Sequence, residues 1–292
     1  MTRVLLLGGS GTLGSEVLRL LQVKNLDHVA PSSGDLDIIN RKEVFNYISD
    51  FKPSWIINCA AWTDVDAAET HYQDAMDLNA HAVRNIGEAA FEFSSRVIHI
   101  STDYVFDGES TEPYLESSKA QSINRYGETK LRGEKLLMTA LPDSYIIRTS
   151  WLYGVNGKNF VKTMVDKSLR NEYVSVVDDL VGSPTNARDL SKGILAIIEQ
   201  LPEPGIYNFS NGGSCSWFEL ARFVYKNMGS DPALVKPTSS RSFELMARRP
   251  RFSILSKEKW EKAGMPIVLH WDDSLMQFLR LNFGNLSESE SK

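Results

Sequence analysis

An α/β fold is predicted: a Rossmann-type, doubly wound parallel sheet with a smaller C-terminal substrate-binding lobe. Three observations predict it. Short apolar runs alternate with segments of helical period through the first half of the chain, a glycine-rich turn follows the first run, and the rhythm becomes irregular after Arg148. Strands that alternate with helices pair in parallel, because a parallel neighbour is reached only through a crossover.

In order, Arg3–Leu7 reads as a buried strand and residues 13–21 as a helix with apolar side chains three and four apart, while residues 28–30 end a second strand. Residues 43–51 form a helix, 55–57 a strand, 75–93 a long helix, 97–100 a strand, 124–141 a helix and 145–147 a strand. Beyond Arg148, short strands at 174–177 and 206–209 stand among loops rich in Gly, Asn and Ser and three helical stretches. The expected division is a dinucleotide-binding domain over residues 1–150 and a mainly substrate-binding domain over 151–284, with the helix near 187–199 returning to the first domain. A tail over 285–292, where serine alternates with charge, is expected to be disordered.

Composition bounds the function. The 292 residues are 42% hydrophobic and 24% charged, ordinary globular usage with room for one large core and a satellite. The apolar run at residues 4–7 is too short for a signal segment or a membrane span, so a cytoplasmic protein with no membrane partner is expected. Cys59 and Cys215 lack CxxC spacing and point to neither a disulfide framework nor a zinc site. A net charge of -5 without a basic stripe makes nucleic acid an unexpected partner.

Gly8, Gly11 and Gly14 follow the first strand and open the first helix. The first allows the turn, the second lets backbone approach a pyrophosphate, and the third lets helix and strand pack closely, so a dinucleotide is expected there. Pro31, Ser32 and Ser33 stand where a carboxylate would select NADH or an arginine NADPH, so either cofactor is expected to bind. Asp37, slightly further on, either reaches the adenine or serves as a loop or helix-cap residue.

Tyr126 and Lys130 form Tyr-x-x-x-Lys on a predicted helix, which places both on one face, one turn apart. A nearby ammonium is expected to lower the phenol's pKa and ready it as a proton donor. Thr102 ends a predicted strand at the carboxyl edge of the sheet, where its hydroxyl could polarise a substrate carbonyl.

Four stretches, residues 8–14 (GGSGTLG), 58–66 (NCAAWTDVD), 101–108 (STDYVFDG) and 126–130 (YGETK), resemble in order the motifs of the dTDP-4-dehydrorhamnose reductase family, within the extended short-chain dehydrogenase/reductases. Residues 148–154 (RTSWLYG), 158–164 (KNFVKTM), 177–185 (VDDLVGSPT) and 247–250 (ARRP) extend the likeness to about residue 283. The resemblance implies NAD(P)H-dependent reduction of dTDP-4-dehydro-L-rhamnose, with Thr102, Tyr126 and Lys130 as the catalytic triad. It implies a cofactor site of Gly8, Ser10, Gly11, Thr12, Leu13, Gly14, Asp37, Ile38, Ala60, Ala61, Thr63, Asn79, Tyr126 and Lys130. It places the sugar against Thr63, Val65, Asp103, Tyr104 and Trp151, with Arg249 at the diphosphate. Some members dimerise with Mg2+ held by glutamates; no metal ligand is assigned in this sequence, and a homodimer stays open.

Related enzymes share the fold and the Tyr-x-x-x-Lys. A 4,6-dehydratase would carry Glu after Asp103, where this chain has Tyr104, so elimination is disfavoured. The remaining alternatives are a related 4-ketoreductase, an epimerase, or a non-catalytic subunit like the regulatory one of methionine adenosyltransferase.

Overall fold

The computed structural model describes residues 2–284, so the tail expected to be disordered lies outside the described residues. Its main sheet has strands β1 (Arg3–Leu7), β2 (Asp27–Val29), β3 (Trp55–Asn58), β4 (Arg96–Thr102), β5 (Tyr145–Thr149) and β6 (Gly205–Asn208). They lie in the order β6-β5-β4-β3-β1-β2, all parallel. The longer helices are α1 (Thr12–Val23), α2 (Arg41–Phe51), α3 (Ala82–Glu92), α4 (Arg125–Ala140), α5 (Phe160–Leu169), α6 (Ala187–Gln200), α7 (Trp217–Asn227) and α8 (Trp271–Phe283).

Strand alternation builds the two layers. Val4 and Leu6 of β1 pack with Val17 and Leu21 of α1 and with Leu190, Ile194 and Ile197 of α6. Leu5 and Leu7, on the opposite face, pack with Val44 and Ile48 of α2, Val83 and Ile86 of α3, and Leu137 of α4. Burial on both faces explains why β1 is an unbroken apolar run.

Two features depart from the linear expectation. The strand expected at 206–209 in the irregular half is β6, an edge strand of the main sheet paired with β5. Trp260 packs beside its end, its ring meeting Phe209 edge-on at 5.0 Å. The helix expected over 75–93 is broken into Tyr72–Met76, a wide π-helical turn Asp77–His81, and α3. That turn carries Asn79, whose carboxamide accepts from Trp62 N (2.9 Å) and donates to Trp62 O (3.1 Å) and to the Thr129 hydroxyl of α4 (3.0 Å).

The second lobe has its own core, in which Val161 and Val165 of α5, Leu220 and Val224 of α7, and Leu275 and Phe278 of α8 meet. A short parallel pair, Val174–Val177 with Val235–Thr238, borders it. Among the described residues, no helix is long and apolar enough to cross a membrane.

Candidate active site

The chain leaves β1 toward β2 on one side and returns to β3 on the other, so the carboxyl ends of β1 and β3 flank a crevice of the kind where doubly wound sheets bind ligands. Two adjoining cavities occupy it. An outer one of about 630 Å3 is lined by Gly8, Ser10, Pro31, Ser33, Asp37, Ile38 and Ala60, and an inner one of about 660 Å3 by Thr102, Tyr126 and Lys130. Gly11, Cys59 and Ala61 border both.

The glycine turn lies at their junction. Gly8 has φ +76°, and a Cβ on Gly14 would collide with the Gly8 carbonyl, so α1 can start this close to the strand only with glycine at both positions. No side chain caps α1 at Gly11, which leaves the first-turn N–H groups available to an anion. The second lobe reaches over this turn. Along residues 154–157 the Gly154 carbonyl accepts from Asn159 (2.9 Å), Asn156 from the Thr12 hydroxyl (2.9 Å), and Val155 and Gly157 from the Lys162 ammonium (2.8 and 3.2 Å). Lys158, next in the chain, lines the inner cavity beside Gly11, Thr12, Leu13 and Gly14 and has no acidic partner among the described residues.

Helix α4 delivers two of the three expected catalytic side chains. Asn124 caps it by accepting from Gly127 N (2.8 Å) and donates its own amide to Arg248 O (2.8 Å), which ties the helix start to the C-terminal lobe. A Cβ on Gly127 would strike the Tyr104 carbonyl, so glycine there lets the turn after β4 press on α4 and bring Thr102 to Tyr126. Tyr104 then meets Tyr126 edge-on, with ring centroids 5.7 Å apart.

The electrostatics differ from expectation at one point. Burial pushes the Tyr126 phenol up to about 12, with Asp103 adding to it and the Thr102 hydroxyl acting the other way. Lys130 does not pull the phenol down. Its ammonium donates to Ile100 O (2.6 Å) and lies 3.3 Å from His99 Nε2, and burial lowers its own pKa to about 8. Asp103 is raised to about 6 by burial. One of its oxygens accepts from the Thr102 hydroxyl (3.1 Å), and the Ser253 and Thr102 side chains both act against the rise. The Cys59 thiol is pushed up to about 12 by burial, which makes it a poor nucleophile.

Thr63, Val65, Asp103, Tyr104 and Trp151 wall the inner cavity with the triad, and Thr12 and Leu13 complete its floor. Trp151 sits at φ +47°, and its ring is stacked on Trp217 at 3.7 Å, so packing holds a strained backbone that aims the indole into the wall. Two expected residues lie elsewhere. Asn79 is fully buried behind the cavity, its carboxamide spent on Trp62 and Thr129. Arg249 grips Asp66 in a bidentate pair (2.7 and 2.6 Å) and borders a separate apolar groove of about 710 Å3 with Phe243 and Leu245. Among the described residues of this one chain, no three His, Cys, Asp or Glu side chains come together to hold a metal ion.

Asn58, Asp66 and Lys158 lie in stretches that carried the resemblance but were given no role of their own, and His99 was not singled out. His99 had left a signal, being polar among the apolar residues of its strand. What Asp66 does depends on Arg249, distant in the chain.

The model of the RmlD substrate binding domain family matches residues 1–282. The chain belongs to this family. Among relatives of this RmlD-family chain, the dTDP-4-keto-6-deoxy-D-glucose reductase of Streptomyces niveus is 38% identical over 94% of this chain and 96% of its own length. The dTDP-4-dehydrorhamnose reductase of Streptomyces griseus is 37% identical over 94% of this chain and 92% of its own. The crystal structure of dTDP-4-dehydrorhamnose reductase from Bacillus anthracis in complex with NADP superposes with a TM-score of 0.93 at 36% identity, covering 97% of this chain and 100% of that one.

Proposed function

We propose that this RmlD-family chain is an NADPH-dependent reductase that converts dTDP-4-dehydro-L-rhamnose to dTDP-L-rhamnose. The observation that carries it is the meeting of Thr102, Tyr126 and Lys130 in one cavity that opens onto the glycine turn. The cofactor supplies a hydride to C4 of the sugar. Tyr126, protonated across the neutral range, gives its proton to the sugar oxygen. Thr102 turns its hydroxyl from Asp103 to that same oxygen and polarises the carbonyl. Trp151, Val65 and Tyr104 hold the sugar against this pair.

Asp37 and Ile38 in the outer cavity would hold the adenosine of the dinucleotide, the turn at Gly11 its pyrophosphate, and Lys130 its nicotinamide ribose. The wall at Pro31, Ser32 and Ser33 holds no basic side chain to select a 2'-phosphate, and Asp35 accepts from the Ser32 hydroxyl there (2.6 Å), so NADH is used as well as NADPH. Lys158 completes the diphosphate cradle. Lys158→Ala is expected to raise the dissociation constant for NADPH about fivefold, an effect that fades with added salt, with kcat unchanged. Titration of cofactor fluorescence at two ionic strengths checks this, and an unaltered affinity at low salt removes Lys158 from the site.

The reaction is tested by following NADPH oxidation with dTDP-4-dehydrorhamnose generated in place and identifying the product sugar by NMR. Failure to oxidise NADPH overturns the proposal. The likeness to the Streptomyces niveus enzyme favours a second reading, direct reduction of the unepimerised 4-keto-6-deoxyglucose nucleotide. Faster turnover with dTDP-4-keto-6-deoxy-D-glucose than with dTDP-4-dehydrorhamnose would select it.

A further inference from the structure

His99 lies at the centre of β4, fully buried, in register with Asn58 of β3. Asn58 Oδ1 accepts from Ala60 N (3.1 Å), and Asn58 Nδ2 lies 3.1 Å from His99 Nδ1. A backbone N–H can only donate, so the carboxamide oxygen must face Ala60 and the NH2 group must face the ring. Nδ1 is therefore an acceptor. Burial and the neighbouring Lys130 keep the ring neutral at working pH, so its one proton is on Nε2, the nitrogen 3.3 Å from Lys130 Nζ.

An ammonium has three N–H donors and no lone pair, so it makes no hydrogen bond with an N–H that points at it. A neutral amine has a lone pair to offer. Around Lys130, the His99 ring and the Ile100 carbonyl come from β4, Cys59 from the end of β3, and Glu134 from the next turn of α4. Glu134 and Cys59 favour the ammonium, while burial opposes it.

We propose that His99, locked by Asn58 as the Nε2–H tautomer, is the positioning residue that sets the pH at which Lys130 loses its proton: the Lys130 amine accepts the Nε2–H hydrogen bond and the ammonium cannot. His99 keeps its own proton throughout. This role depends on the reductase reading, whereas the tautomer is measured with no substrate present.

Long-range 15N–1H correlation spectra of the five histidines, with His99→Gln for assignment, test the lock directly. The Nε2–H pattern at His99, constant across neutral pH, is expected; the Nδ1–H pattern overturns the proposal. Asn58→Asp tests the consequence. A carboxylate accepts from both Ala60 N–H and Nδ1–H, which inverts the tautomer and turns Nε2 into an acceptor for the ammonium. The alkaline limb of kcat against pH should then move up by about one unit or more. A shift caused only by the new negative charge persists in a His99→Phe background, while one carried by the tautomer disappears there. An inverted tautomer with an unmoved limb, or a limb that moves equally without His99, overturns the proposal.

Discussion

Replacing Tyr126 with phenylalanine is expected to lower kcat about 100- to 10,000-fold while leaving the dissociation constant for NADPH within about twofold of wild type. Phenylalanine keeps the ring's volume and its edge-on contact with Tyr104, so the cavity wall and the seat of α4 are preserved. What it removes is the O–H beside the Thr102 hydroxyl. Hydride addition then leaves a negative sugar oxygen with only the Thr102 hydroxyl to hold it. Single-turnover kinetics, together with cofactor titration by fluorescence, check both halves of the statement. Near-normal turnover would show that another acid protonates the sugar, and Asp103, raised to about 6, would be the first to examine.

The wild-type pH profile follows from the same groups. Tyr126 stands at about 12 and stays protonated well past neutrality, so it does not set the alkaline limit. Lys130, lowered to about 8, loses its proton first, and kcat should fall on the alkaline side as it does.

The second large effect is on stability. Glu134→Ala is expected to destabilise the fold by about 3–5 kcal/mol. Glu134 and Arg148 pair at 2.7 Å with side chains 2% and 3% exposed, and a second bond joins Arg148 Nε to Glu134 (3.0 Å). Ser101 also donates to Glu134 (2.5 Å), and Arg148 to Glu116 O (3.2 Å). Removing the carboxylate leaves a guanidinium buried between sheet and helix without a counter-charge. Replacing both partners with apolar residues, Glu134→Leu with Arg148→Met, should recover most of the loss, because no charge is then stranded. Urea denaturation of the single and paired variants reads this. A single-variant loss under about 1 kcal/mol would mean that packing alone, chiefly Leu137 and its neighbours, seats α4 on the sheet. The pair bears on function because α4 carries both Tyr126 and Lys130, and a loosened helix misplaces the phenol.

What the sequence determined alone is what depends on local spacing. An unbroken apolar run followed by glycines three apart specifies a buried strand, a tight turn and an uncapped helix start, whatever the rest of the chain does. Tyr126 and Lys130 share a helix face by period alone, and the carboxyl end of a parallel strand was enough to place Thr102 at the crevice. The tertiary structure decided what depends on distant partners. It set β6 beside β5, paired Arg249 with Asp66 across 183 positions, turned Asn79 toward Trp62, and brought Asn58, His99 and Lys130 into one buried chain. It also reversed the expected tuning of Tyr126. Spacing along a helix puts an ammonium near a phenol, but the carbonyl that claims the ammonium and the burial that raises the phenol come from strands and loops the helix meets only on folding.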